Sequence, residues 1–150
     1  MAGTSQCGPW HQQQGGTVYC VMPMTFEVDK AHHVLRSRAT GPLTIDDLIG
    51  YLTESRAHPD FDPGMDRWMD LREITQLPSS EDVRALAVYV RTRAPVETAR
   101  MAILASSDLA FGVAMMFKAL VGYGDRLVVV RNEDDAADWL KPSLRTPEVG

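Results

Sequence analysis

The sequence predicts an α/β fold in which a single-layer, mixed but mostly parallel five-stranded sheet is combined with four helices, in the order β-β-α-β-α-β-α-β-α. In the helical segments, apolar residues recur at the three- and four-residue spacing of a buried helix face. Short apolar or alternating runs of strand length lie between them. Because strands that alternate with helices form parallel sheets with right-handed crossovers, this order favours a mostly parallel sheet.

The first half of the pattern begins with a predicted hairpin of Thr25–Asp29 and His33–Thr40, so the first strand should be antiparallel. Gly41–Pro42 is expected to end the second strand. Thr44 then caps the first helix. One apolar stripe of that helix is formed by Ile45, Leu48, Ile49 and Leu52.

The second half alternates regularly. The predicted strands are Arg67–Leu71, Arg100–Ala105 and Leu127–Val130, and each has an apolar character that suits a sheet. Three helices follow them, and their N-caps are Ser79 or Ser80, then Ser107, then Asn132. Gly122 ends the third helix.

The two ends of the chain differ from the middle. Residues 1–23 are rich in Gly and Gln without a sustained period, which predicts a disordered N-terminal tail. The α/β domain should then cover residues 24–141, with a C-terminal tail at 142–150. Cys7, His11 and Cys20 supply only three of the four ligands of a structural zinc site, so we expect no metal.

Composition excludes several classes of function. The net charge of −5 and the pI near 5.3 argue against general nucleic-acid binding, which needs a basic face. No apolar run approaches the roughly 20 residues of a membrane span, and a domain without cysteine suits a reducing cytoplasm. Phosphate-loop, dinucleotide, nucleophile-elbow and zinc-protease motifs are missing from the sequence, so neither a cofactor nor an enzymatic activity is expected.

Four segments in fixed order carry a family resemblance: Asp60–Asp66, Met69–Thr75, Asp108–Phe117 and Asp134–Leu140. Through them the chain resembles the STAS-like family of small bacterial proteins, which are related to anti-sigma factor antagonists. Some members are also compared with the CRAL-TRIO lipid-carrier fold. The resemblance implies a STAS-like fold over about Thr25–Leu140 and a regulatory role.

The resemblance also implies a candidate phosphorylation site. In the antagonists, a partner kinase phosphorylates a serine at the start of the second helix, within an Asp-Ser-Ser-Gly motif. At the same spacing after Asp70-Leu71, this chain has Pro78-Ser79-Ser80-Glu81. Glu81 would disfavour an adjacent phosphate electrostatically. Ser79 and Ser80 are therefore either a regulatory site or, as we favour, only a helix cap.

A second candidate site is a partner or ligand surface at the carboxyl edge of the sheet, where open α/β sheets bind ligands. Its members are Asp70, Arg72, Ser106 and Ser107. The simpler interpretation, which we favour, is that Asp70 accepts loop amides, Arg72 forms an ion pair and the serines cap a helix.

The third helix is apolar on more than one face, with Lys118 its only charge after Asp108. Phe111, Met115, Met116 and Phe117 are candidates for an apolar ligand face or a dimer face. Core packing is the alternative.

Together these features predict a non-enzymatic regulatory or adaptor module that binds a protein partner or associates with itself. A carrier or sensor of a lipid or another small apolar ligand is the alternative. It requires a pocket of roughly 300 Å³ or more.

Overall fold

The computed structural model describes residues 11–13, 16–21, 24–93 and 99–140. The strands are β1 (His11–Gln13), β2 (Gly16–Val21), β3 (Met24–Asp29), β4 (Val34–Pro42), β5 (Asp66–Gln76), β6 (Met101–Leu104) and β7 (Leu127–Val130). The helices are α1 (Ile45–Arg56), α2 (Ser80–Arg93), α3 (Asp108–Val121) and α4 (Glu133–Trp139), and a 3-10 turn covers Gly124–Arg126.

Each strand pairs with its neighbour in the sequence, so the sheet has the order β1-β2-β3-β4-β5-β6-β7. β3 and β4 form the predicted antiparallel hairpin, whereas β4, β5, β6 and β7 are parallel. From residue 24 onward, the five strands and four helices follow the predicted order, which confirms the fold class.

The N-terminal segment differs from the expectation of a disordered tail. β1 and β2 pair with each other, and β2 pairs antiparallel with β3. The run Thr17–Val21 is rich in β-branched and aromatic residues, which suits a strand but is masked by the Gly and Gln around it. Two strands thus lie within the segment for which a disordered tail was predicted, while Cys7 and residues 142–150 lie outside the described residues.

β5 is longer than predicted, because it continues beyond Leu71 to Gln76. The additional residues pair with the end of β4, where Thr40 lies opposite Glu73 and Pro42 opposite Gln76. β4 stays paired with β5 through Gly41–Pro42, where the strand was predicted to end. A register shift after Arg38 and the positive φ of Gly41, 72°, make this possible. The strand that precedes α2 therefore ends later in the sequence than predicted, close to the start of that helix.

The two faces of the sheet are covered differently. The main core contains α1, α2 and α3 packed on side chains such as Leu35, Met69 and Ile103. On the opposite face, Ala136 and Leu140 at α4 pack on Ala102 and Leu104 of β6. Successive residues of β6 are therefore buried on both faces of the sheet, which is typical of an internal strand.

Helix starts follow the predicted capping residues. Thr44 and Asp47 form a reciprocal capping box at α1. Ser107 and Asn132 accept hydrogen bonds from the backbone amides of Ala110 and Asp135. Each cap satisfies an amide that has no partner within its own helix. Among the described helices, none has the length and apolar character needed to cross a membrane.

Candidate functional site

Ser79 and Ser80 stand at the start of α2, both exposed to solvent. The Ser79 hydroxyl accepts a hydrogen bond from the Asp82 amide at 3.1 Å, so Ser79 is the N-cap. Ser80 is the first helical residue. The two serines therefore differ in role, since one holds the helix end and the other stands just inside it.

Asp70 and Arg72 form a structural ion pair. Asp70 is 4% exposed and accepts hydrogen bonds from the Arg72 backbone amide, Nε and Nη2 at 3.0, 2.9 and 2.7 Å. Arg72 Nη2 also donates to Glu133 on α4 at 2.7 Å. Burial favours a higher pKa for Asp70, but the hydrogen bonds from Arg72 and the charges of Arg72 and Arg38 lower the pKa below its usual value. Asp70 therefore holds the Arg72 side chain in place, and Arg72 in turn connects β5 with α4.

Ser106 and Ser107 lie at the start of α3. The Ser107 hydroxyl accepts from the Ala110 amide at 3.1 Å, while the Ser106 carbonyl accepts from Arg131 Nη1 at 3.1 Å. Arg131 also donates to Asp108 at 2.8 Å, and its guanidinium carbon lies 4.3 Å from the centre of the Phe111 ring. This arrangement orders the loop and places an acidic side chain at the helix start.

A groove of about 750 Å³, called the strand-end groove below, joins the starts of α2 and α3. Its walls are residues 74–78 at the end of β5, Ser80 on α2, Ser107, and the side of α3 that carries Leu109, Gly112 and Met116. Leu109 is 71% exposed, the highest value among the exposed large hydrophobic residues of the described chain. Ser80 and Ser107 thus face one groove, whereas Asp70 and Arg72 do not line it.

The four apolar candidates on α3 point in different directions. Phe117 lines a cavity beneath the helices. Met116 lines the strand-end groove, and Met115 is 42% exposed. Phe111 packs against the core and beneath Arg131. Residues at 111, 115, 116 and 117 cover more than half a helical turn, so a single partner face cannot use all of them.

The chain is similar over most of its length to a solved structure. That structure is of an uncharacterised protein of the DUF3478 family with a SpoIIAA-like fold, from Shewanella loihica PV-4, with a TM-score of 0.50 and 18% identity over 87% of this chain and 90% of that one. This chain has a SpoIIAA-like fold. No family model matches it, and no curated protein matches it significantly.

The match confirms the STAS-like resemblance at the level of the fold. In the SpoIIAA-like fold of this chain, β5 leads through residues 77–79 into α2, so the Asp-Leu and Ser-Ser elements of the resemblance fall on that connection. A fold hosts different functions, and therefore the match does not assign one.

Sequence reasoning missed two features of the SpoIIAA-like domain. The first is the exposure of Leu109, which lies in the first turn of an apolar helix and looks like a core residue. The second is buried Arg67, which is 7% exposed and lines the cavity beneath the helices together with Met69 and Leu71. The two-residue alternation of Arg67, Met69 and Leu71 was the signal that could have placed the arginine inward.

Proposed function

We propose that the protein is a non-enzymatic regulatory or adaptor module that binds a protein partner in the strand-end groove. The observation that carries the proposal is Leu109, an exposed leucine beside a concave surface that also holds Ser80. Exposed apolar side chains grouped at a groove mark interaction sites. The other apolar side chains of this surface, Ile74, Leu77 and Met116, are half-buried and would give a partner's apolar side chain a pocket.

The histidines of the described domain support a role other than catalysis. His32 bonds the Asp29 carboxylate at 2.9 Å, and His33 bonds Asp62 at 3.0 Å. The His58 ring accepts from the Asp60 amide at 3.0 Å. These contacts order the hairpin turn and the loop after α1, far along the chain from the strand-end groove.

Phosphorylation of Ser80 would switch this interaction off. Ser80 lines the groove, whereas the Ser79 hydroxyl is used by the helix cap. A phosphate on Ser80 would place a strongly hydrated dianion where the partner's apolar side chain packs, and its desolvation would oppose docking.

The partner is tested by affinity capture from the protein's own host with the wild type, Leu109→Glu and Val88→Glu. Val88 is 50% exposed on α2 and does not line the groove, so it controls for adding a charge at an exposed apolar site. We expect one protein to be captured by the wild type and Val88→Glu and to be lost with Leu109→Glu. Equal capture by all three would refute the groove as the binding site.

The switch is tested by intact mass measurement of the protein purified from the host. A phosphate that is lost in Ser80→Ala and kept in Ser79→Ala supports the proposal. An unmodified wild type, or a phosphate that stays in Ser80→Ala, contradicts the switch but leaves partner binding to be judged by capture.

The alternative, a lipid carrier, has less support. The cavity beneath the helices is about 100 Å³, below the roughly 300 Å³ at which small-molecule pockets begin. Self-association is distinguished by the same capture experiment, in which the captured protein would be a second copy of this chain.

A further inference from the structure

The outer side of α3 carries apolar side chains that the fold leaves in solvent. Two of the three exposed large hydrophobic residues of the described chain lie on this helix, Leu109 at 71% and Met115 at 42% exposure. On the side that lines the strand-end groove, α3 presents Leu109, Gly112 and Met116. Apolar surface of this kind marks a place where a partner docks.

This side of the helix continues for one more turn. Leu109, Gly112, Met116 and Ala119 follow one another at spacings of three, four and three residues, which places them in one row, called the α3 stripe below. The row is about 15 Å long. Gly112 and Ala119 are exposed, and Met116 is half-buried. This spacing is that of a helix packed against a second helix.

Large and small residues alternate along the α3 stripe. Leu109 and Met116 project from the helix, whereas Gly112 and Ala119 leave hollows between and beyond them. The position that a Cβ of Gly112 would occupy has no other atom within 4 Å. The hollow at Gly112 is therefore open to a side chain from a docking partner.

A second α3 in the antiparallel orientation fits this pattern. In the register that places Leu109 opposite Ala119 of the second copy, Gly112 lies opposite Met116 of that copy. Each large side chain then meets a small residue, and a two-fold axis repeats the contacts. A parallel pair would place Leu109 beside Leu109 and Gly112 beside Gly112, which crowds one level and leaves a gap at the next.

The charges of α3 favour the same orientation. Its two charged residues are Asp108 in the first turn and Lys118 in the last turn. Antiparallel packing brings the acidic first turn of each helix to the basic last turn of the other, and such complementarity fixes orientation. Asp108 accepts a hydrogen bond from Arg131, but its side chain is 95% exposed, so its carboxylate can also face a second cation.

We propose that the protein forms a two-fold symmetric dimer through the α3 stripe, with the two α3 helices antiparallel and Leu109 of each copy packed against Ala119 of the other. The inference rests on the proposed function, because it names a second copy of this chain as the partner that docks at the strand-end groove.

The test is sedimentation velocity of the purified full chain over a concentration series, with the wild type, Leu109→Glu and Ala31→Glu. Ala31 is exposed in the turn between β3 and β4, so Ala31→Glu adds the same charge away from α3. We expect the wild type and Ala31→Glu to dimerise with equal dissociation constants. Leu109→Glu should weaken the dimer by about tenfold or more.

A mixing experiment tests the register. Gly112→Leu puts a large side chain opposite Met116 of the second copy, and Met116→Ala leaves a gap opposite Gly112, so each variant alone should dimerise more weakly than the wild type. In an equimolar mixture, every large side chain again faces a small one. Native mass spectrometry should therefore show more heterodimer than either homodimer.

The dimer is overturned if the wild type stays monomeric, if Leu109→Glu dimerises as tightly as the wild type, or if the mixture forms no excess of heterodimer. A monomeric wild type that captures a different protein, and loses it with Leu109→Glu, would refute the dimer and leave the proposed function standing. A monomeric wild type with no capture that depends on Leu109 would refute both.

Discussion

The carboxylate of Asp66 accepts two hydrogen bonds from Arg100, one from the backbone amide and one from guanidinium Nη2, both at 3.0 Å. Asp66 begins β5, and Arg100 immediately precedes β6. Arg100 also donates from Nη1 to the Trp139 carbonyl at 2.9 Å, and its guanidinium carbon lies 5.0 Å from the Trp139 ring centre. One ion pair therefore connects two parallel strands with the end of α4.

Removing this carboxylate should destabilise the fold. Asp66 is 7% exposed, so Asp66→Ala leaves the Arg100 cation without its main partner. We expect a loss of about 2 kcal/mol in the free energy of unfolding, below the full cost of breaking a buried pair because the Arg100 side chain is 31% exposed. Urea denaturation measures the loss. Asp108→Ala breaks a pair whose carboxylate side chain is 95% exposed, and it should change little. Equal losses in both variants would contradict this role for Asp66.

Asp70 should make stability depend on pH in the acid range. Its pKa is lower in the folded protein than the ordinary value of 3.8, so the unfolded chain binds more protons between the two values. The stabilisation is complete above the ordinary value and is lost as the pH falls through the folded value. We therefore expect the stability advantage of the wild type over Asp70→Asn to be constant above the ordinary pKa of 3.8 and to shrink as the pH falls below it.

Urea denaturation at a series of pH values measures this difference. The pKa values of Asp29 and Asp62 are also lowered, so Asp70→Asn should reduce the acid sensitivity without removing it. Asp134→Asn, at an exposed position of α4, controls for the loss of one negative charge. A constant gap between the wild type and Asp70→Asn at all pH values would show that the ion pair with Arg72 does not form.

Alanine substitutions of the two serines at the start of α2 should differ in their effect on the free energy of unfolding. Ser79→Ala removes the cap that holds the Asp82 amide and should cost about 1 kcal/mol. Ser80→Ala changes an exposed first-turn residue and should stay within about 0.5 kcal/mol of the wild type. Thermal or urea unfolding of both variants tests this assignment. A larger loss in Ser80→Ala would reverse the roles assigned to the two hydroxyl groups.

Two glycines of α3 should respond in opposite directions to the same substitution. Gly122 ends the helix with a φ of 83°, so Gly122→Ala should cost about 1 kcal/mol in backbone strain. Gly112 lies inside the helix, and the position that a Cβ would occupy has no other atom within 4 Å, so Gly112→Ala should stabilise by roughly 0.5–1 kcal/mol. Urea unfolding of both variants measures whether the free energy of unfolding falls or rises. A destabilised Gly112→Ala would mean that this helix surface has less room than the structure shows.

Local signals predicted most of the fold. The capping residues Thr44, Ser107 and Asn132 and the C-terminal Gly122 act as expected, because each works through backbone groups within one helical turn. The end of β5 was not predicted, since it depends on a register shift in β4, and such a shift depends on pairing with a distant segment. The strand at Gly16–Val21 was missed because its composition was averaged with its surroundings.

The candidate site was predicted only in part. The starts of α2 and α3 could be located, because parallel strands bring their carboxyl ends to one edge. Which side chains share the groove could not be predicted, since the rotation of α3 about its axis decides that Leu109 is exposed while Phe117 is half-buried and lines the cavity beneath the helices. The charge of Arg67 in the core likewise follows from which face of β5 meets the helices.

The strictly sequential strand order has a consequence for how the chain folds. Because each described strand lies beside the strand before it, none of the pairings among these strands has to wait for a segment made much later. Each parallel pairing closes only the loop that contains one helix, which keeps the entropy cost of closure small. The sheet can therefore grow strand by strand while the chain leaves the ribosome, each completed edge serving as the template for the next strand.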